Sequence, residues 1–389
     1  MSIYPITNIQ SPQIIRIGGG AAMGTGQILN QLGLYKPLIV TDKVLVKLGH
    51  LEKLLKILDQ SNISCSVFDE TIPEPTDVCL SKGLNIFRSE KFDCVIGFGG
   101  GSSLDMAKAI SAMSKNHGHV RSYKQPAQIN RAGVPIILIP TTAGTGSELT
   151  KWCVITDTKL NIKYNLSGLA FLATAAIIDW TFTTTKPDRL TADTAIDSLT
   201  HAIESFVSKK SSTFSDALAL NAMPLIVNNV RPAFKDPNNN HARESLMLGA
   251  SQAGMSFSNS SVALIHGMSR PIGAYFHIAH GLSNAILLAE VTNFSISAAE
   301  HKYAECARVM KWASETDTNH KACKNLVEQL RNLQSDLKVP TPKEQGFDAE
   351  VYFRSLPEMA RQALESGSPQ NNPRVPSSEE IIQIYNTIW

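Results

Sequence analysis

The chain has 389 residues, 43% hydrophobic and 18% charged, enough apolar material for two domains that each bury a core. A formal net charge of +2 gives no general attraction to nucleic acid or to an anionic membrane surface. No apolar run reaches the length of a membrane span, the start Met1-Ser-Ile-Tyr-Pro-Ile-Thr lacks a secretory pattern, and the six cysteines form no C-x-x-C pair, so a cytoplasmic protein with reduced thiols is expected.

The first part of the chain alternates short apolar runs with amphipathic stretches. Strands are expected at 37–41, 63–68, 93–98 and 134–140, with helices at 44–60 and 77–89 and another following the stretch 99–108. Apolar strands separated by helices predict a largely parallel, Rossmann-like sheet with helices on both faces. The strand at 93–98 runs directly into Gly99-Gly-Gly-Ser-Ser-Leu-Asp-Met-Ala-Lys108. Small residues there let the backbone approach a phosphate, and the following helix N-terminus offers N–H groups and partial positive charge. Gly99, Gly100, Gly101 and Ser102 are therefore candidate nucleotide contacts, with tight packing as the competing reading. Asp42 closes an earlier strand, where a carboxylate can accept from a ribose and repel a 2′-phosphate; capping the helix from Val44 is compatible with that role. A second loop of small polar residues, Thr141-Thr-Ala-Gly-Thr-Gly-Ser-Glu148, can line the rest of a dinucleotide. Residues 151–178 read as an irregular β section ending at Asp179.

The texture changes near 185–188. Strand-like runs give way to long amphipathic segments at 190–209, 214–232, 241–259, 297–315, 320–336 and 377–388, which predicts an all-helical second domain. The expected division is 1–187 and 188–389. Asp197 and His201 lie four residues apart on a helix free of Pro and Gly, so both leave the same face. Histidines follow at 266, 277 and 280. One carboxylate with several imidazoles suits Fe(II) or Zn(II) and suits Mg or Ca poorly, although local capping and pairing would use the same residues.

Taken together and in this order, the motifs resemble the iron-containing (group III) alcohol dehydrogenase family over essentially the full length. The matching pieces are Val40-Thr-Asp-Lys43, Gly99-Gly-Gly-Ser102 with Asp105 and Lys108, Thr141 to Glu148, Asp197-Ser-Leu-Thr-His-Ala-Ile-Glu204, His266-Gly-Met, His280-Gly-Leu-Ser-Asn-Ala and Asn372-Pro-Arg374. The resemblance implies metal ligands at Asp197, His201, His266 and His280, with Fe(II) first and Zn(II) second. It implies NAD contacts at Asp42, Gly100, Gly101, Ser102, Thr141, Thr142, Thr145 and Lys163, with Gly99 and Asp105 in the same motif. The partner it implies is a small alcohol or aldehyde, and a homodimer or larger homo-oligomer is expected. The metal would then act as a Lewis acid on the substrate oxygen while hydride passes to or from the nicotinamide. The alternative is a lyase resembling dehydroquinate synthase, whose metal carboxylate is typically Glu where this chain has Asp197.

Three positions depart from the family pattern. Arg270 stands where many members carry a histidine that contacts substrate, so proton transfer would fall to water or to His277. Pro271 is expected to end or bend the helix at Arg270. Arg270 then either caps the last carbonyls or pairs with a nearby acid, or it clamps an anionic group of a substrate such as a short hydroxy acid or semialdehyde. Trp152 replaces a small or polar residue found in some members, and Trp180 follows Asp179 where Pro is common.

Overall fold

The computed structural model describes residues 6–160 and 162–389. Ile9–Lys186 and Pro187–Trp389 form two compact units.

The first unit contains β1 (Ile14–Ile17), α1 (Thr25–Gln31), β2 (Pro37–Val40), α2 (Lys43–Lys47), α3 (His50–Asp59), β3 (Ser66–Phe68), α4 (Asp77–Ser89), β4 (Cys94–Gly99), α5 (Gly101–Lys115), β5 (Ile136–Pro140), β6 (Trp152–Asp157), β7 (Ile162–Ser167) and β8 (Ala175–Ile178). Six strands form a parallel sheet in the order β1-β8-β5-β4-β2-β3, and β6 and β7 form a separate antiparallel pair. Successive side chains of a strand leave opposite faces, and both faces here are buried. Leu38, Val40, Val95, Ile136 and Leu138 join one core with α4 and α5. Ile39, Cys94, Ile96, Phe98, Ile137 and Ile139 join the other with α1 and α3. That two-sided burial is why the strands read as continuous apolar runs.

Several expectations change in detail. The helix expected at 44–60 is two helices, because Gly49 at φ 73° breaks the path before α3. The strand expected from 63 begins only at Ser66. The irregular β section resolves into the β6–β7 hairpin and the buried strand β8. The edge strand β1 was not anticipated; its residues Ile15 and Ile17 face outward, so the segment lacks the buried-strand pattern. After β1, the turn at Gly18 to Gly20 resembles a phosphate loop, yet a protein carboxylate already occupies it. Asp179 Oδ1 accepts from Gly20 N at 3.1 Å and Oδ2 from Ala22 N at 3.0 Å. Trp180 lies so close to Gly19 that a Cβ there would stand 2.8 Å from its Nε1, which gives the Asp179-Trp180 pair a packing role.

The second unit is helical: α6 (Asp188–Val207), α7 (Thr213–Lys235), α8 (Asn240–Ser258), α9 (Leu264–Phe276), α10 (His280–Ser295), α11 (Glu300–Val309), α12 (Asn319–Asp336), α13 (Ala349–Glu365) and α14 (Ser378–Thr387). Periodicity did not single out α9, α10 or α13. Helix α10 is buried on nearly every side and so lacks a solvent-facing polar stripe. The segment expected at 297–315 is helical only over Glu300–Val309. Helix α6 is the hub: it packs against α7, α8 and α10 and is buried almost continuously from Thr191 to Val207. Among the described residues, no helix is long and apolar enough to cross a membrane.

Candidate metal centre and nucleotide loops

Three helices deliver the donor cluster. Helix α6 carries Asp197 and His201, both buried; α9 carries buried His266; α10 opens with His280, whose side chain is 42% exposed. Helix α10 reaches α6 because Gly281 has no side chain: a Cβ there would lie 2.6 Å from the Asp193 carbonyl oxygen. Asp197 Oδ1 lies 3.8 Å from His201 Nε2, 3.7 Å from His266 Nε2 and 3.7 Å from His280 Nε2. Four donors around one ion with bonds of about 2.1 Å would stand roughly 3.4 Å apart, so these atoms need move little to share a divalent metal. The donors of Asp197, His201 and His266 also lie within 4.8 Å of one another. The donor set fits iron or zinc.

Two further residues complete the cluster. Glu204, one turn after His201 on α6, is buried; its Oε2 stands 2.6 Å from His266 Nδ1 and accepts from Ala263 N at 2.8 Å, while Oε1 accepts from Ile265 N at 2.5 Å. The carboxylate therefore fixes the first turn of α9 and holds the imidazole proton on Nδ1, leaving the Nε2 lone pair toward the cluster. Asn284, one turn after His280, donates from Nδ2 to Asp197 Oδ1 at 2.6 Å and sits 3.3 and 3.2 Å from Nε2 of His266 and His280. His201 stacks between Phe257 and His266, with centroid distances of 4.3 and 4.6 Å. Glu204 and Asn284 carried a legible signal, since each lies three or four residues after a histidine on the same helical face.

Arg270 is placed differently from the expectation. Helix α9 continues through Pro271 to Phe276 instead of ending at Arg270. Pro271 has no N–H for the Gly267 carbonyl, and Tyr385 Oη donates to the adjacent Met268 carbonyl at 2.7 Å. Arg270 therefore does not cap a helix end; its Nη1 is buried without a hydrogen-bond partner. Burial pulls its pKa down to about 10, opposed by the charge of Glu204. His277 is exposed, at φ 52°, and closes α9.

In the first unit, the nucleotide candidates gather at the C-terminal ends of neighbouring strands β2, β4 and β5. Asp42 caps α2, Oδ1 accepting from Val44 N and Leu45 N at 2.9 and 3.0 Å, and Ser103 Oγ donates to its Oδ2 at 3.3 Å. The two small-residue loops lie side by side: a Cβ on Gly101 would come within 2.9 Å of Thr145 Cγ2, and Thr141 N donates to the Gly99 carbonyl at 2.9 Å. No side chain caps the first turn of α5, and buried Thr141 Oγ1 has no hydrogen-bond partner among the described residues. Thr142 packs beside Gly100. Lys163 pairs with Glu74, whose N–H donates to Ser102 Oγ at 3.3 Å. Asp105 is spent inside the protein: Oδ1 accepts from Ser147 Oγ at 2.8 Å and Oδ2 from Val154 N at 2.9 Å. It shapes the second loop and is not free to touch a nucleotide. Fully buried Lys108 does the same, donating to the Ser147 carbonyl and Oγ at 2.7 Å, Thr150 Oγ1 at 3.1 Å and the Trp152 carbonyl at 2.8 Å. Trp152 thus begins β6 with its carbonyl held by Lys108.

A parallel sheet with nucleotide-type loops and a helical unit with an Asp/His cluster fit an enzyme that uses a nucleotide and a divalent metal. Residues 12–180 match the family model described as iron-containing alcohol dehydrogenase, and residues 191–389 match the C-terminal model of the same family. The chain is 34% identical over 374 residues to the lactaldehyde reductase of Escherichia coli strain K12, covering 96% of this chain and 97% of that one. It is 32% identical over 380 residues to the NAD-dependent methanol dehydrogenase of Bacillus methanolicus, covering 97% and 99%. The crystal structure of a 1,3-propanediol oxidoreductase superposes with a TM-score of 0.95 at 31% identity, covering 99% of this chain and 100% of that one. The protein belongs to the iron-containing alcohol dehydrogenase family. It is an oxidoreductase acting on CH–OH groups with iron and NAD as the family's cofactors, and the lyase alternative is not favoured.

Proposed function

We propose that Asp197, His201, His266 and His280 hold a divalent iron ion, with zinc as the alternative metal, and that the protein interconverts a small alcohol and its aldehyde with NAD(H). The observation that carries this reading is the convergence of three histidine Nε2 atoms at 3.7–3.8 Å from one oxygen of Asp197. When bound, iron supplies a Lewis acid for the substrate oxygen and NAD(H) takes or gives the hydride. The residues of the chain do the rest. Asp197 offsets part of the ion's charge, Glu204 fixes the His266 tautomer, and Asn284 orients the Asp197 carboxylate. The α/β unit is the nucleotide half: the open N-terminus of α5 with Gly99, Gly100, Gly101 and Ser102 receives the pyrophosphate, Thr141, Thr142 and Thr145 flank it, and Asp42 accepts from the adenine ribose. Lys163 contributes positive charge beside Ser102, shared with Glu74. His277, exposed three residues before His280, is the side chain we assign to exchanging the alcohol proton with solvent.

The six cysteines are free, which fits a cytoplasmic enzyme, and the exposed edge of β1 supports a homodimer or larger homo-oligomer. The experiment is NADH oxidation with a panel of aldehydes on protein of measured metal content, with light scattering for the oligomeric state. His266→Ala should lose metal and turnover by orders of magnitude. Normal metal content and turnover in that variant would remove His266 from the ligand set.

A further inference from the structure

We propose that Arg270 receives an anionic group on the substrate, so that this enzyme prefers short aldehydes or alcohols carrying a carboxylate or sulfonate; the proposal rests on the reductase reading above. Because α9 stays helical through Pro271, His266 and Arg270 occupy one face a single turn apart. Helical side chains lean toward the N-terminus, which carries the guanidinium back toward His266. One helical turn is about 5.4 Å, so an anion held there lies only a few carbon atoms from an oxygen held at the metal cluster.

Among the described residues, no carboxylate forms an ion pair with the guanidinium. Glu204 is near enough to act on it electrostatically, but its oxygens are spent on the N–H groups of Ala263 and Ile265 and on His266 Nδ1. Arg270 Nη1 is meanwhile buried with no partner. A buried unpaired N–H is costly and rare, and it marks a place where a ligand completes the bonding. Although burial pulls the pKa down to about 10, the group is charged at neutral pH. A planar fork of donors matches the paired oxygens of a carboxylate or sulfonate and gains nothing comparable from an alkyl chain.

The test compares kcat/KM for 4-oxobutanoate with pentanal, and for 2-oxoethanesulfonate with butanal, in metal-loaded wild type, Arg270→Lys and Arg270→Gln. Wild type should favour the anionic member of at least one pair, and the favoured pair names the anion. That preference should fall by about 10- to 150-fold in Arg270→Gln, mainly through KM, with part of it retained in Arg270→Lys. Calorimetric titration of the NAD⁺ complex with succinate should show binding that Arg270→Gln loses. An unchanged preference in Arg270→Gln, with metal content or thermal stability reduced, means that Arg270 balances Glu204 and overturns the proposal. A change confined to the KM for NADH would overturn it equally. If wild type reduces neither aldehyde class, the reductase reading falls, and succinate binding that Arg270→Gln does not weaken removes the anion site as well.

Discussion

Glu204 touches no expected ligand atom, yet it decides how His266 is presented. Its carboxylate takes three N–H donors, two from the backbone at the start of α9 and one from the imidazole. Glu204→Gln keeps the shape but turns an amide NH₂ toward groups that are already donors. Metal affinity should fall by about 10- to 100-fold, read by competition with a chromogenic chelator, while far-ultraviolet circular dichroism stays native. An unchanged affinity would reduce Glu204 to a helix fastener. Asp42 can be tested with little structural damage, because replacing an N-cap Asp by Gly costs only a few tenths of a kcal/mol. With the carboxylate gone, kcat/KM with NADPH should rise at least about tenfold relative to NADH, the effect of roughly 1.4 kcal/mol of relieved repulsion. No gain in NADPH use would place the ribose elsewhere.

At the scale of elements, Lys108 links α5 to the loop that begins at Thr141. Its ammonium is buried completely and holds Ser147, Thr150 and Trp152 together, with Asp105 Oδ1 at 3.8 Å. Burial pushes the lysine pKa down and that of Asp105 up, and each charge partly offsets the other's shift. Lys108→Met leaves a buried carboxylate without its cation and takes the ammonium away from four oxygen acceptors. The α/β unit should lose about 3–5 kcal/mol in a denaturant titration, and NAD binding should weaken with it. A variant of wild-type stability that binds NAD normally would mean the loop holds its shape without the lysine. Helix α9 shows the opposite arrangement, in which a nominal helix breaker is tolerated. Tyr385, itself buried, donates to the Met268 carbonyl, and Tyr352 Oη donates to the Tyr385 carbonyl at 2.9 Å. Phe276, Phe347 and Tyr352 pack beyond Pro271, with Phe276 and Phe347 stacked at 4.1 Å.

For the whole molecule, each unit should respond to its own ligand. A metal that binds only the folded helical unit stabilises it by about 2.7 kcal/mol at a hundredfold excess over Kd, worth roughly 5–10 °C for a unit of this size. Chelation should therefore lower the melting temperature of the helical unit, and NAD should raise that of the α/β unit, both followed by scanning calorimetry. Insensitivity of every transition to metal would contradict the ligand assignment. Much of this molecule was already determined by sequence. Two-sided burial writes parallel strands as apolar runs, the glycine and threonine loops mark where strands β4 and β5 end, and Asp197 and His201 share a helical face by spacing alone. The tertiary structure decided what spacing cannot express. It joined His266 and His280 to α6 through the close approach at Gly281, turned Glu204 and Asn284 into partners of the cluster, and withdrew Asp105 into the scaffold. It also carried α9 through Pro271, where Tyr385 of α14 donates to the neighbouring Met268 carbonyl. A periodicity of 3.6 residues fixes which side chains share a face, but what that face meets depends on residues some 60 to 120 positions away.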